Sequence, residues 1–188
     1  MAYVSLGFVP VSNIVTPFAG RTESFYMPTS DTTDTAPFDL VKLGTGVAAG
    51  AGLPTCTRIT GIDDVPCGVV VGFVADPGYL EQTYRSGSTA RIAIVATDPN
   101  LEMLVQEDNA SAATLAASRI GTIVDPVPGS VDTVTGTSGM QISSGAASGS
   151  PGMLRIQRLS EVVGDPAIGG TNTKWVVTFN VHRYKVTS

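Results

Sequence analysis

The sequence predicts a mainly β protein, folded as a single antiparallel β-barrel or jelly-roll-like sandwich. Three observations predict this class. Short runs of alternating apolar and polar residues recur from Phe38 onward, 21 glycines and 12 prolines punctuate them, and only 14% of the residues are charged. The 188 residues fit one large domain, which at this length buries a proper core without a metal or disulfide.

The N-terminal segment, residues 1–38, is predicted to be an extended arm that precedes a β domain at residues 39–188. Four prolines interrupt the segment, and the polar tract 30–35 has no periodicity. It is nevertheless too apolar for a solvated tail. Its aromatic residues, candidates for an interface, are Tyr3, Phe8, Phe18, Phe25 and Tyr26. Two alternatives are open: the segment docks on a neighbouring chain as an arm, or it folds back on its own domain as an edge strand. If it is a docked arm, deletion of residues 2–28 is expected to leave the fold intact.

Eight candidate strands follow the arm, each bounded by glycine, proline, asparagine or aspartate. They are predicted at residues 40–43, 56–60, 68–75, 91–96, 101–106, 140–143, 153–159 and 174–184. The last alternates most clearly: Trp175, Val177 and Phe179 are expected on the core side, with Thr178 and His182 on the face toward solvent or a partner.

One short helix is predicted over residues 110–118, where nearly all side chains are small. Asp108 or Asn109 is placed to cap its start, and Gly121 stands where a helix commonly ends. The Gly/Ser/Thr-rich stretches 131–138 and 143–152 are predicted to be loops.

Charge and composition argue against several classes of partner. The net charge is −5 and no run of Lys or Arg occurs, so we expect neither direct nucleic-acid binding nor attachment to a membrane surface. The longest apolar run, near 69–75, is too short for a transmembrane helix, and the N-terminus is untypical of a secretory signal. The two cysteines, Cys56 and Cys67, are expected to be buried thiols or one disulfide.

Catalytic, cofactor and metal sites are not indicated by any motif. His182 is the only histidine, and its place in a strand favours a solvated or hydrogen-bonded residue over a catalytic base. The glycine-rich stretch near residues 44–52 lacks the spacing of a phosphate-binding loop, and the acidic residues do not match a calcium loop. We therefore expect a protein that is not an enzyme and uses no cofactor.

Three arginines are candidates for an interface. Arg85, Arg155 and Arg158 are either ordinary surface charges or bidentate donors that pair with acidic groups of a partner. Because Arg155 and Arg158 are three positions apart in one predicted strand, regular alternation puts them on opposite faces.

The order of motifs along the chain resembles a known family. In this chain, the motifs that carry the resemblance are, in order, the run 68–73, Tyr84-Arg85, Arg91 to Val95, Asp98-Pro99, Gln106-Glu107-Asp108, Thr135 to Gly139, Leu154 to Leu159 and Trp175 to Tyr184. This order, over roughly residues 64 to 184, is similar to that of the head decoration or cement proteins of tailed bacteriophages.

The resemblance implies a virion protein on the outer surface of the capsid, made in the host cytoplasm. Its partners would be the major capsid protein, whose adjoining subunits it clamps, and itself as a homo-oligomer, a trimer ahead of a dimer. Two alternatives are open. One is a head–tail connector or tail component, and the other is a carbohydrate-binding β-sandwich, which requires exposed aromatic side chains in a groove.

Overall fold

The computed structural model describes residues 5–13, 21–48, 52–78, 80–108, 114–145, 152–160, 165, 168–170 and 172–185. Twelve strands lie within these ranges. In chain order they are β1 (Val9–Asn13), β2 (Thr22–Met27), β3 (Leu40–Val47), β4 (Pro54–Arg58), β5 (Pro66–Phe73), β6 (Arg91–Ala96), β7 (Leu101–Gln106), β8 (Ile123–Val124), β9 (Pro126–Val127), β10 (Gln141–Ile142), β11 (Leu154–Leu159) and β12 (Lys174–Phe179).

Two groups of five strands form the body of the protein. The first, here called the open sheet, is antiparallel and has the order β1-β7-β12-β11-β8. The second, here called the ring, pairs in the cyclic order β2-β4-β3-β5-β6. A single parallel pair, Tyr26 with Thr55, joins β2 to β4, and all other pairs of the ring are antiparallel.

Two hydrophobic cores follow from this pairing. The first core lies between the open sheet and the ring, and it contains Trp175, Val177 and Phe179 together with Leu40 and Val69 of the ring. The second core fills the inside of the ring. Its buried members are Phe25, Met27, Val41, Cys56, Cys67, Val70, Ala93 and Val95.

In some strands of the ring, consecutive residues belong to different cores. Leu40 belongs to the first core and Val41 to the second, and the same holds for Val69 and Val70 in β5. Because side chains alternate across a strand, a strand buried on both faces has an almost continuous apolar sequence. This explains the part of the apolar run that lies in β5, residues 69–73, whereas Val74 follows the strand and is 42% exposed.

The predicted mainly β class is confirmed, and the sheets pack on one another. Predicted strands at 91–96 and 101–106 have the bounds of β6 and β7, and the other six overlap observed strands. The last strand is shorter than predicted, because β12 ends at Phe179 and a turn follows. Trp175, Val177 and Phe179 are in the core, as predicted.

The predicted helix is corrected in its described part. Residues 109–113 lie outside the described residues, and residues 114–116 are not helical. The chain makes only a single 3-10 turn at Ala117–Arg119, with no side-chain cap and no buried residue. Small residues supply little apolar area, so no face of this segment drives it to pack as a helix.

In its described residues, the predicted arm folds back on its own domain and does not extend away from it. β1 pairs with β7 at the edge of the open sheet, and β2 pairs with β6 within the ring. Phe8 and Phe25 are fully buried, one in each core. Deletion of residues 2–28 would remove two strands and expose both cores, so the expectation of an intact fold is withdrawn.

The start of β1 depends on one glycine. Gly7 has φ of 75°, and a β-carbon there would lie 2.5 Å from the carbonyl oxygen of Phe38 and from Oγ of Ser138. Only glycine combines this backbone conformation with so close an approach. The adjacent amide of Phe8 then donates to the Phe38 carbonyl at 2.8 Å, which fixes the segment against the domain.

Candidate interaction surface

Arg85 is a structural residue, which corrects its predicted place at an interface. Its side chain is fully buried. The guanidinium donates to four backbone carbonyls, those of Thr89, Thr33, Pro28 and Asp31, at 2.6–2.8 Å, and lies 3.2 Å from the Asp31 carboxylate. A guanidinium has five N–H donors in a fixed planar geometry. One arginine side chain can therefore donate hydrogen bonds to several loop carbonyls that lie outside the strands.

A second buried arginine joins the ring to the 129–138 segment. Arg58 Nε donates to the Asp39 carboxylate at 2.7 Å, and its terminal nitrogen donates to the Gly129 carbonyl. The Ser138 hydroxyl donates to the same carboxylate at 2.5 Å. Burial raises the pKa of Asp39, and Arg58 and Ser138 oppose that shift. These hydrogen bonds hold the cluster together, which makes Arg58 and Asp39 structural residues.

The aromatic candidates of the N-terminal segment have different positions. Phe8 and Phe25 are core residues, which corrects their predicted place at an interface: Phe25 pairs within the ring, and the Phe8 amide is bonded to the Phe38 carbonyl just before β1. Tyr26 is half-buried and lines an open groove of about 370 Å³ with Val74 and Pro77. Tyr3 and Phe18 lie outside the described residues.

Arg155 and Arg158 lie on one face of the open sheet, not on opposite faces as regular alternation predicts. A β-bulge interrupts β11 between Ile156 and Arg158. Arg155 pairs with Thr178 and Arg158 with Val176, two residues apart on β12 and hence on the same side of that strand. Ile156 therefore points into the first core, and Leu159 packs against it.

The sequence contains a signal for this bulge that alternation alone misses. The apolar residues of β11 are Leu154, Ile156 and Leu159, so their spacing changes from two to three. One extra residue, Gln157, restores the inward position of Leu159. A change of spacing within a predicted strand is thus a reason to place a bulge before assigning faces.

The outward face of β7, β11 and β12, here called the arginine face, is ordered by short polar contacts. Arg155 donates to the Gly121 carbonyl at 2.8 Å and to the Asn180 side-chain oxygen at 3.0 Å. Arg158 lies 3.2 Å from the Glu102 carboxylate, which also accepts from the Ser12 hydroxyl. Gln157 donates to the Thr178 hydroxyl at 2.8 Å.

The two arginines differ in how their charge is balanced. Arg158 has a carboxylate partner in Glu102 and keeps 45% of its side chain exposed. Arg155 is also exposed, yet among the described residues no carboxylate lies within ion-pair distance of it. Its two acceptors are neutral, so they orient the guanidinium and leave its positive charge uncompensated.

The buried titratable groups are separate from this face. Glu107 accepts hydrogen bonds from the Leu115 amide and Trp175 Nε1, and burial raises its pKa. His182 is 4% exposed and follows β12, so it does not lie on the polar side of a strand as predicted. Its Nδ1 accepts from the Tyr184 amide at 3.2 Å, and burial lowers its pKa to about 4.

Both cysteines are free buried thiols in the second core. β4 and β5 flank β3 on opposite edges, which separates Cys56 and Cys67 by two strand spacings, about 10 Å. A disulfide requires Cα atoms within about 7 Å, so the thiol alternative applies. Burial raises the pKa of both thiols, that of Cys67 to about 12.

Metal ligands and membrane-spanning helices are not found in the described parts of the chain. There, no group of three or more His, Cys, Asp or Glu side chains is placed to hold a metal ion. Within the same residues, no helix has the length and apolar character needed to span a bilayer. No protein family, curated protein or solved structure matches this chain.

Proposed function

We propose that this chain is a non-enzymatic virion protein that decorates the outside of a tailed-phage head and cements adjoining major capsid subunits. The observation that carries the proposal is the arginine face, an exposed and ordered surface on the central strands of a sheet. A cement needs such a rigid contact surface and no catalytic group. The order of motifs from residue 64 to residue 184 gives the resemblance to decoration proteins.

The proposal includes a finer description of the fold, a barrel or jelly-roll-like sandwich of the decoration-protein kind. The cyclic strand order of the ring and its packing on the open sheet support this description. It also includes a homo-oligomer, a trimer ahead of a dimer, and a place on the outer capsid surface after synthesis in the host cytoplasm.

Stabilisation of the head would follow from mass action. A protein that binds the expanded shell and not its open or disrupted form lowers the free energy of the expanded shell by an amount that grows with its concentration. Rigid strands suit this role, because little conformational entropy is then lost on binding.

Sedimentation of the purified chain with expanded heads, assembled from the major capsid protein of the same genome, tests the proposal. We expect saturable binding of hundreds of copies per head and a higher temperature of head disruption. A head–tail connector would instead bind in about a dozen copies at one vertex. Absence of the chain from the sedimented heads would refute the proposed function.

A further inference from the structure

The arginine face combines features that a general surface charge lacks. Its two guanidinium groups project from one inner strand of the sheet, β11, and the bulge at Gln157 places them on the same side. Their strand partners on β12 are two residues apart, which spaces the two arginines by about 7 Å along the sheet. This spacing allows two neighbouring carboxylates of one protein surface to be bound together.

The part of β12 that lies beside the two arginines is shielded from water. Val176 is 2% exposed and Thr178 is 3% exposed, although both lie on the outward side of β12. Their cross-strand partners are Arg158 and Leu104 for Val176, and Arg155 and Glu102 for Thr178, so long side chains flank both residues on this face. An ion pair formed beside such a shielded strand is less screened than one on an open surface.

The charges of the face favour a carboxylate over a phosphate backbone. Among the described residues of β7, β11 and β12, Arg158 is paired with Glu102 and Lys174 with Asp165, so Arg155 leaves this part of the face with a net positive charge on a chain of net charge −5. Nucleic acids bind through many basic residues that replace counterions, and a carboxylate within the face would repel a phosphate. Bidentate pairing with individual carboxylates needs only one guanidinium for each.

We propose that the arginine face binds an acidic patch of a protein partner, with Arg155 and Arg158 each paired to a carboxylate. The inference rests on the proposed function for the identity of that partner, the major capsid protein. Arg155 contributes most, because its guanidinium is already oriented by Gly121 and Asn180 and, among the described residues, has no carboxylate partner to give up. Arg158 must share its carboxylate Glu102 with the incoming group.

A titration that needs no capsid tests the chemistry of the face. The side-chain Nε–H resonances of the arginines are followed by NMR while a hexaglutamate peptide is added to the full chain. We expect saturable shifts for Arg155 and Arg158, and small shifts for Arg21, which is exposed but paired with Glu23. Equal shifts at all exposed arginines, or larger shifts with a DNA duplex than with hexaglutamate, would overturn the inference.

Binding to expanded heads tests the partner with matched charge changes. The double variant Arg155→Glu/Arg158→Glu should bind at least about tenfold more weakly than the wild type, because it places like charges opposite the patch. The single variant Arg155→Glu should also weaken binding, whereas Arg21→Glu makes the same charge change of −2 elsewhere and should alter binding by less than about twofold. Thermal unfolding of each variant confirms that it is folded.

The outcomes separate the inference from the proposed function. If the wild type binds heads and the double variant binds equally well, the inference fails and the proposed function stands. If the wild type does not bind heads but hexaglutamate shifts Arg155 and Arg158 selectively, the proposed function fails and the acidic partner is another protein.

Discussion

At the scale of single residues, this protein uses arginine for two opposite purposes. Arg85 and Arg58 are buried and donate to carbonyls and carboxylates of the chain itself. Arg155 and Arg158 are exposed and lie side by side on a sheet. Sequence alone does not separate these roles, because arginine is usually exposed and its burial depends on loop carbonyls brought together only by the fold.

His182 provides a prediction about pH at the same scale. The ordinary pKa of histidine is 6.5, whereas burial lowers that of His182 to about 4 in the folded protein. Between these values the unfolded chain binds a proton that the folded chain does not, so stability decreases as the pH falls. The loss attributable to His182 by pH 4 is about 3 kcal/mol.

Replacement of His182 by glutamine checks this expectation. The variant keeps a side-chain acceptor for the Tyr184 amide but has no group that titrates in this range. Denaturant unfolding of both proteins at pH 7, 5.5 and 4.5 should show a smaller loss of stability in His182→Gln. Because His182 is the only histidine, parallel curves for the two proteins would contradict the stated cause.

At the scale of elements, the sequence predicted strands best where buried and half-buried residues alternate along most of the strand. The bounds of β6 and β7 were predicted to the residue, since their alternation is regular. β1 and β2 were missed as strands because prolines and polar tracts surround them, and only tertiary pairing makes them part of the sheets. The shared face of Arg155 and Arg158 was missed because one bulge reverses alternation.

The pairing of β1 predicts that the N-terminal segment contributes to stability. Phe8 immediately precedes β1 and is fully buried in the first core, whereas Val11 within β1 is 42% exposed. Phe8→Ala should lower the free energy of unfolding by about 3–5 kcal/mol, through lost burial and the cavity that remains. Val11→Ala should change it by less than about 0.5 kcal/mol, as is usual for a surface position.

Denaturant unfolding monitored by Trp175 fluorescence measures both changes. Trp175 lies in the same core as Phe8, so its signal reports the loss of that core directly. A free energy of unfolding unchanged by Phe8→Ala would mean that the segment contributes nothing to the domain, as an arm meant for another chain would.

At the scale of the whole molecule, the two cores should unfold together. β3, β5 and β6 each supply residues to both cores, so neither core persists after these strands separate. Trp175 reports on the first core, and the thiols of Cys56 and Cys67 report on the second. Burial and a raised pKa keep both thiols unreactive until the ring opens.

Two probes in one titration check this cooperativity. Loss of Trp175 fluorescence and labelling of the thiols should follow the same dependence on denaturant, as expected for a two-state transition. Thiol labelling at lower denaturant than the fluorescence change would show instead that the ring opens independently of the open sheet.

The size of the arginine face also matters at this scale. Three strands of about six residues present about 300 Å², whereas a stable interface buries about 800 Å² on each partner. A single contact through this face alone would be brief. Lasting attachment would require further contacts from the loops or several linked copies, and a homo-oligomer supplies the latter.

The strands shared by the two cores also restrict how this gene can change. A residue inserted into β5 would exchange the inward and outward side chains and disturb both cores at once. A crossover between Leu40 and Ala96 would divide the residues of both cores between two parent sequences. We therefore expect natural variation to accumulate in the outward residues of β11 and in the loops, so that relatives can change partner while keeping an unaltered interior.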